Sequence, residues 1–133
     1  TYLYITDQIN NKIRRLHISS AAVTTLAGPA QGTTTLGDTD GTGNAARFGW
    51  PQGITTDGTN LFITEASNNK IRKVVISTGA VSTLAGPASG STTPSATDGT
   101  GTAARFNSPR SITTNGLSLF VADYNNSKIR KIE

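Results

Sequence analysis

One histidine, His17, and no cysteine leave this sequence few groups for nucleophilic or metal chemistry. Asp38-Thr39-Asp40-Gly41-Thr42-Gly43 has the outline of a calcium loop. Its counterpart 58 residues on, Ala96-Thr97-Asp98-Gly99, loses the first carboxylate, and no bidentate Glu follows either copy. A glycine-rich turn is the reading, with no metal and no cofactor expected. The carboxylates Asp7, Glu65 and Asp123 recur at one spacing, so each is expected to accept backbone N–H bonds in the turn that follows it. Nine of the twelve Lys and Arg fall in three short segments: Lys12, Arg14 and Arg15; Lys70, Arg72 and Lys73; Lys128, Arg130 and Lys131. With a net charge of +4, a basic stripe through Lys12, Arg14, Lys70, Arg72, Lys128 and Arg130 would suit RNA or another polyanion. Single-strand readers add stacking aromatics, however, and aromatic residues make up only 6% of the chain. Nucleic acid is therefore disfavoured.

These residues sit on a repeat. Leu3-Tyr4-Ile5-Thr6-Asp7 returns as Leu61-Phe62-Ile63-Thr64-Glu65 and as Leu119-Phe120-Val121-Ala122-Asp123, each time after 58 residues. The same offset superposes Leu26-Ala27-Gly28-Pro29-Ala30 on Leu84-Ala85-Gly86-Pro87-Ala88, and Ala45-Ala46-Arg47-Phe48 on Ala103-Ala104-Arg105-Phe106. Residues 1–75 match residues 59–133 at 43 of 75 positions without a gap. Each period holds four strand-like runs, A to D, divided by turn residues. In the complete unit A is near Gly53–Thr56, B runs from Leu61 to Glu65, C from Lys70 to Ile76 and D from Ala80 to Ala85. Asp57-Gly58 and Asn115-Gly116 supply the positive φ of hairpin turns. A near-continuous apolar B strand (Leu61, Phe62, Ile63) points to a strand covered on both faces. Serial four-stranded antiparallel units predict an all-β fold, a β-propeller of four-stranded blades. The predicted parts are strands B–C–D at 1–28, a whole blade at 52–86 and strands A–B–C at 110–133, ten strands in all. Closed rings need about four to eight blades, so the propeller is incomplete in this chain, and the isolated units are expected to aggregate or oligomerise.

The segment Ser108-Pro109-Arg110-Ser111-Ile112 running into Leu119-Phe120-Val121-Ala122-Asp123 and Asn126-Ser127-Lys128-Ile129-Arg130 resembles the NHL repeat family. So does Pro51-Gln52-Gly53-Ile54 with Leu61-Phe62-Ile63 and Asn68-Asn69-Lys70-Ile71, and so does Leu3 to Ile13. The departures are Ser111 for the usual Gly, Thr64-Glu65 for Ala-Asp, and long connectors from Pro29 to Arg47 and from Pro87 to Arg105. The resemblance implies a non-catalytic module that binds protein or glycan, with further blades of a parent chain or copies of itself as partners. It also leaves two alternatives. One is a propeller lyase or hydrolase whose active site lies in other blades; the other is a polyanion binder. The Thr-, Ser- and Gly-rich, cysteine-free composition is similar to that of prokaryotic secreted or cell-surface repeat proteins. No apolar run approaches the roughly 18 residues of a membrane-spanning helix, and no stretch pairs a charged segment with the apolar core of a signal peptide.

Strand alternation puts the B-to-C turns and the D-to-A connectors at one end of the blades, where binding residues of a rigid scaffold gather. Phe48 and Phe106 are expected to plug each connector onto a blade, and Arg47 and Arg105 to tie it to Asp40 and Asp98. A residue common to every unit serves the fold; one that breaks the repeat is free to serve a ligand. Trp50 stands where the next unit has Ser108, Tyr124 where others have Ala66 and Gln8, and Arg110 where Gln52 stands. Trp50, Gln52, Arg110 and Tyr124, on the connector face, are the candidate ligand-binding residues.

Overall fold

The computed structural model describes residues 1–133. Three antiparallel sheets stand side by side, with no α-helix among them. The first comprises β1 (Tyr2–Asp7), β2 (Lys12–His17) and β3 (Ala22–Ala27). The second comprises β5 (Pro51–Thr56), β6 (Asn60–Glu65), β7 (Lys70–Val75) and β8 (Ala80–Ala85), and the third β9 (Pro109–Thr114), β10 (Leu119–Asp123) and β11 (Lys128–Ile132). An eleventh strand was not foreseen: β4 (Gly41–Thr42), in the first connector, adds to the outer edge of the second sheet in the order β4-β8-β7-β6-β5. A glycine and a threonine carry no hydrophobic pattern, so periodicity could not reveal it.

The turn chemistry is local. Gly58 and Gly116 take φ of +91° and +92°, the left-handed backbone that these hairpins require. Asp57 accepts the amides of Thr59 and Asn60 and the side chain of Asn60. The Asn60 amide side chain above all, with those backbone donors, holds the Asp57 carboxyl below its ordinary pKa. Asn115 makes the same turn in the third sheet, accepting from Leu117 and Ser118.

The cores lie between sheets, as stacked blades demand. One gathers Ile13 and Ala27 of the first sheet, Ala46 and Phe48 of the connector, and Leu61, Ile63, Val74 and Val81 of the second. The next gathers Ile71 and Ala85, Ala104 and Phe106, then Ile112, Leu119 and Val121 of the third. β6 therefore serves both interfaces: Leu61 and Ile63 face back to the first sheet, while Phe62 packs forward against the second core. This explains its unbroken apolar run. Where a neighbour is absent, equivalent residues lie bare. Leu3, Ile5 and Val23 are 54%, 40% and 45% exposed, against 1%, 0% and 5% for Leu61, Ile63 and Val81.

Near the axis the sheets touch through backbone. Thr6 Oγ1 donates to Gln52 O (2.7 Å) and Thr64 Oγ1 to Arg110 O (2.5 Å), joining each strand B to the next strand A. Gly53 makes the approach possible, since a Cβ there would lie 2.4 Å from Arg110 O.

Candidate functional site

Each complete connector is clasped by a buried acid–Asn–Arg set on the blade that follows it. Glu65, fully buried, accepts from the Gly49 amide (3.1 Å), Asn68 Nδ2 (3.1 Å) and both ways from Arg72 (3.0 and 3.1 Å). Arg72 reaches on to the carbonyls of Thr39 and Arg47 and to Asp40 (2.7 Å), with its guanidinium 5.4 Å from the Phe48 ring. The third sheet repeats the arrangement. Asp123 accepts from the Asn107 amide, Asn126 and Arg130, while Arg130 holds the carbonyls of Thr97 and Arg105 and the Asp98 carboxylate. Burial pushes the Glu65 carboxyl above the usual carboxylate range, and Arg72 and Asn68 work against that push.

This geometry corrects three expectations. Glu65 and Asp123 accept no backbone N–H from the turn that follows, only the side-chain amides of Asn68 and Asn126; their backbone donors, Gly49 and Asn107, belong to the connector that precedes. Asp40 and Asp98 are bound by Arg72 and Arg130, whereas Arg47 and Arg105 donate to carbonyls within their own connectors. The basic stripe is largely spent inside the protein. Lys70 and Arg72 are fully buried, Lys12 and Arg130 nearly so, and Arg14 is half-buried against Asp7 (3.1 Å). Only Lys128 of the six stands exposed. Strand alternation could not show this, because the connector that covers these side chains is an irregular segment distant in sequence.

Asp38 pairs with Lys70 and accepts the Gly90 amide (2.7 Å), clipping one connector to the next. Asp38 and Asp40 thus point at different cations, and no three His, Cys, Asp or Glu side chains come together anywhere. Partial burial disfavours the Asp38 carboxylate, but Lys70 and Gly90 outweigh it and hold its pKa below 3.8. A depressed folded-state pKa adds stability above the unfolded value, lost as pH falls through the folded one. Asp38→Ala leaves the buried Lys70 ammonium with the Ala88 carbonyl as its one remaining acceptor and is expected to cost about 1–3 kcal/mol at pH 7. The deficit should shrink below about pH 4, as urea unfolding across pH would show; a pH-independent deficit would contradict the pairing.

The repeat-breaking residues lie at the connector end. Arg110, second in β9, and Tyr124, directly after β10, meet with the guanidinium 3.6 Å from the ring centroid. Arg110 is the one arginine whose guanidinium makes no hydrogen bond. Trp50 and Gln52 occupy the corresponding place on the preceding blade, whose β5 backbone abuts Arg110 at Gly53. Trp50 is 54% exposed and takes φ +51°, a backbone costly for a bulky residue. The Asn11 side chain holds it there, accepting the Trp50 amide and donating to Thr34 O. His17 is elsewhere, 5.0 Å from the Tyr2 ring and beside Ser19 and Ser20. Sequence reasoning missed the Thr6 and Thr64 hydroxyl bridges; their recurrence at the fourth position of strand B was the available signal.

No family model matches the chain. NHL repeat-containing protein 2 of Bos taurus is 34% identical over 140 residues, 98% of this chain. The repeat resembles that of NHL repeat-containing proteins. The chain spans 19% of that relative's length. Among solved structures, a Bacteroides thetaiotaomicron protein of unknown function superposes with a TM-score of 0.85 at 29% identity, covering 98% of this chain and 32% of that one. An auxiliary nutrient binding protein of the same organism gives 0.80 at 25% identity, covering 99% and 34%. A catalytically inactive virginiamycin B lyase from Staphylococcus aureus gives 0.61 at 21% identity, covering 99% and 34%, and shows the fold alone.

Proposed function

We propose that this NHL-like segment is a binding module whose protein or glycan ligand seats at the axial mouth of the connector face, on Trp50, Gln52, Arg110 and Tyr124. The observation that carries the reading is the exposed Arg110–Tyr124 stack. Both members break the repeat, and the guanidinium lies over an aromatic ring with its donors free. Arg and aromatic side chains are the usual anchors of interfaces, and an exposed ring also stacks on a sugar face. Trp50, exposed in strained backbone on the adjacent blade, extends the same surface. Similarity to a nutrient binding protein supports a ligand-binding role over catalysis.

A glycan and peptide array identifies the ligand, and calorimetry then compares variants. Trp50→Ala and Tyr124→Ala are each expected to weaken binding by about 2 kcal/mol without lowering the unfolding temperature. Unchanged affinity in both folded variants would remove this surface from the reading.

A further inference from the structure

His17, the one histidine of the chain, belongs neither to the clasps nor to the connector face. It stands in a row across the first sheet, where Tyr2 pairs with His17 and His17 with Ala22; the row beside it is Tyr4, Arg15 and Thr24. Alternation puts both rows on one face, the face whose Tyr4, with Ile13 and Ala27, packs against the second sheet. The bare residues Leu3, Ile5 and Val23 are on the other. Tyr2, Arg15, His17, Ser20, Ala22 and Thr24 wall an open recess of about 260 Å³, and no carboxylate borders it. The β2–β3 turn places it at the opposite end of the blade from Arg110 and Tyr124. One ring supports both cationic groups: Tyr2 lies 5.0 Å from the Arg15 guanidinium and 5.0 Å from the His17 ring. Arg15 spends Nε on Thr24 Oγ1 (3.4 Å) and leaves its two terminal nitrogens unpaired. The hydroxyls of Ser20 and Ser19 engage His17 Nδ1 (3.0 and 3.4 Å), and Ser20 is itself fixed by the Ala22 amide (3.4 Å), so Nε2 stays open. The second sheet keeps a cation at the counterpart of Arg15, Lys73, but has Asn60 for Tyr2 and Val75 for His17. The blade therefore forms without this cluster.

We infer that this recess is a binding site for a tetrahedral oxyanion, a phosphate or sulfate, free or as the head of an ester. The terminal nitrogens of Arg15 present the planar fork that suits paired anion oxygens. His17 supplies a further donor at Nε2, since an anion there selects the form of the ring that carries a proton on that nitrogen. A guanidinium and an imidazolium side by side repel each other, and an anion held by both cancels the repulsion. The site uses none of Trp50, Gln52, Arg110 and Tyr124 and stands or falls independently of the reading given for them.

The test titrates the chain with inorganic phosphate, inorganic sulfate and methyl phosphate at constant pH and ionic strength, following the imidazole proton resonances, which only His17 contributes. Saturable shifts are expected. Tighter binding of methyl phosphate than of inorganic phosphate assigns an ester, and equal or weaker binding assigns the free ion. Arg15→Gln should weaken binding by about tenfold or more. His17→Val, which installs the residue type of Val75 in the second sheet, should weaken it comparably, read from the backbone amides of Ala22 and Thr24. Lys73→Gln, at the counterpart of Arg15, should leave the affinity unchanged. Shifts no larger than those sodium chloride produces, or a saturable response that survives both Arg15→Gln and His17→Val, overturn the inference.

Discussion

Arg72→Ala is expected to destabilise the chain by about 3–5 kcal/mol, the range for removing one partner of a buried ion pair. The Glu65 carboxylate would remain fully buried with two neutral donors, Gly49 and Asn68, and no cation. Three connector groups, Thr39 O, Arg47 O and Asp40, would lose their donor at the same time. Against a total stability of about 5–15 kcal/mol for a domain, that loss is enough to leave much of the chain unfolded. Glu65→Gln in the same chain should recover part of the deficit, since a neutral amide needs no counter-charge. Chemical denaturation of the two single variants and the double variant reads the coupling. Lys73→Ala, one residue along on the half-buried side of β7, should change stability by less than about 0.5 kcal/mol. Equal, small effects of Arg72→Ala and Lys73→Ala would show that the clasp does not hold the connector.

The second large effect belongs to Phe48. Its ring is fully buried between the first and second sheets, among Ile13, Leu61, Ile63 and Val74, and truncation of such a side chain costs about 3–5 kcal/mol. Because it belongs to the connector and to neither sheet, Phe48→Ala removes the piece that lets the two blades share a core. Units that depend on their neighbours lose cooperativity when an interface fails. The expected signature is therefore a lower midpoint together with a broadened or split denaturation curve, with the first sheet melting ahead of the other two. A single sharp transition displaced by less than 1 kcal/mol would mean that the sheets are independently stable.

The sequence displayed the fold through one device, the gapless 58-residue repeat. It exposed the strand runs, the Asp57-Gly58 and Asn115-Gly116 turns, and the doubly covered strand B, since each follows from local pattern or turn chemistry. The role of Phe48 and Phe106 was also legible, because a lone aromatic in a polar connector has nowhere else to go. The clasp was not. Reading Lys70, Arg72 and Arg130 as a surface stripe followed from the concentration of positive charge in short strands, and that pattern is blind to an irregular segment laid across the strand. The recurrence of Asp40 with Asp98, Glu65 with Asp123 and Arg72 with Arg130 held the clue: each period repeats one arginine together with two acids that can share it. At the candidate site, breaks in the repeat singled out Arg110 and Tyr124, and the structure stacks them. That contact follows from β9 and β10 being paired neighbours, a pairing the Asn115-Gly116 hairpin turn already implied.

Native-state hydrogen exchange at Gly49 and Asn107 tests most directly whether the connectors are integral to the blades. Their amides donate to the buried carboxylates of Glu65 and Asp123, so they should open only with the sheets and exchange as slowly as Ile63 and Val74 in strands β6 and β7. Exchange at the rate of the exposed connector residue Thr33 would mean that these segments lie loosely on the surface, and the clasp would have no part in holding the blades together.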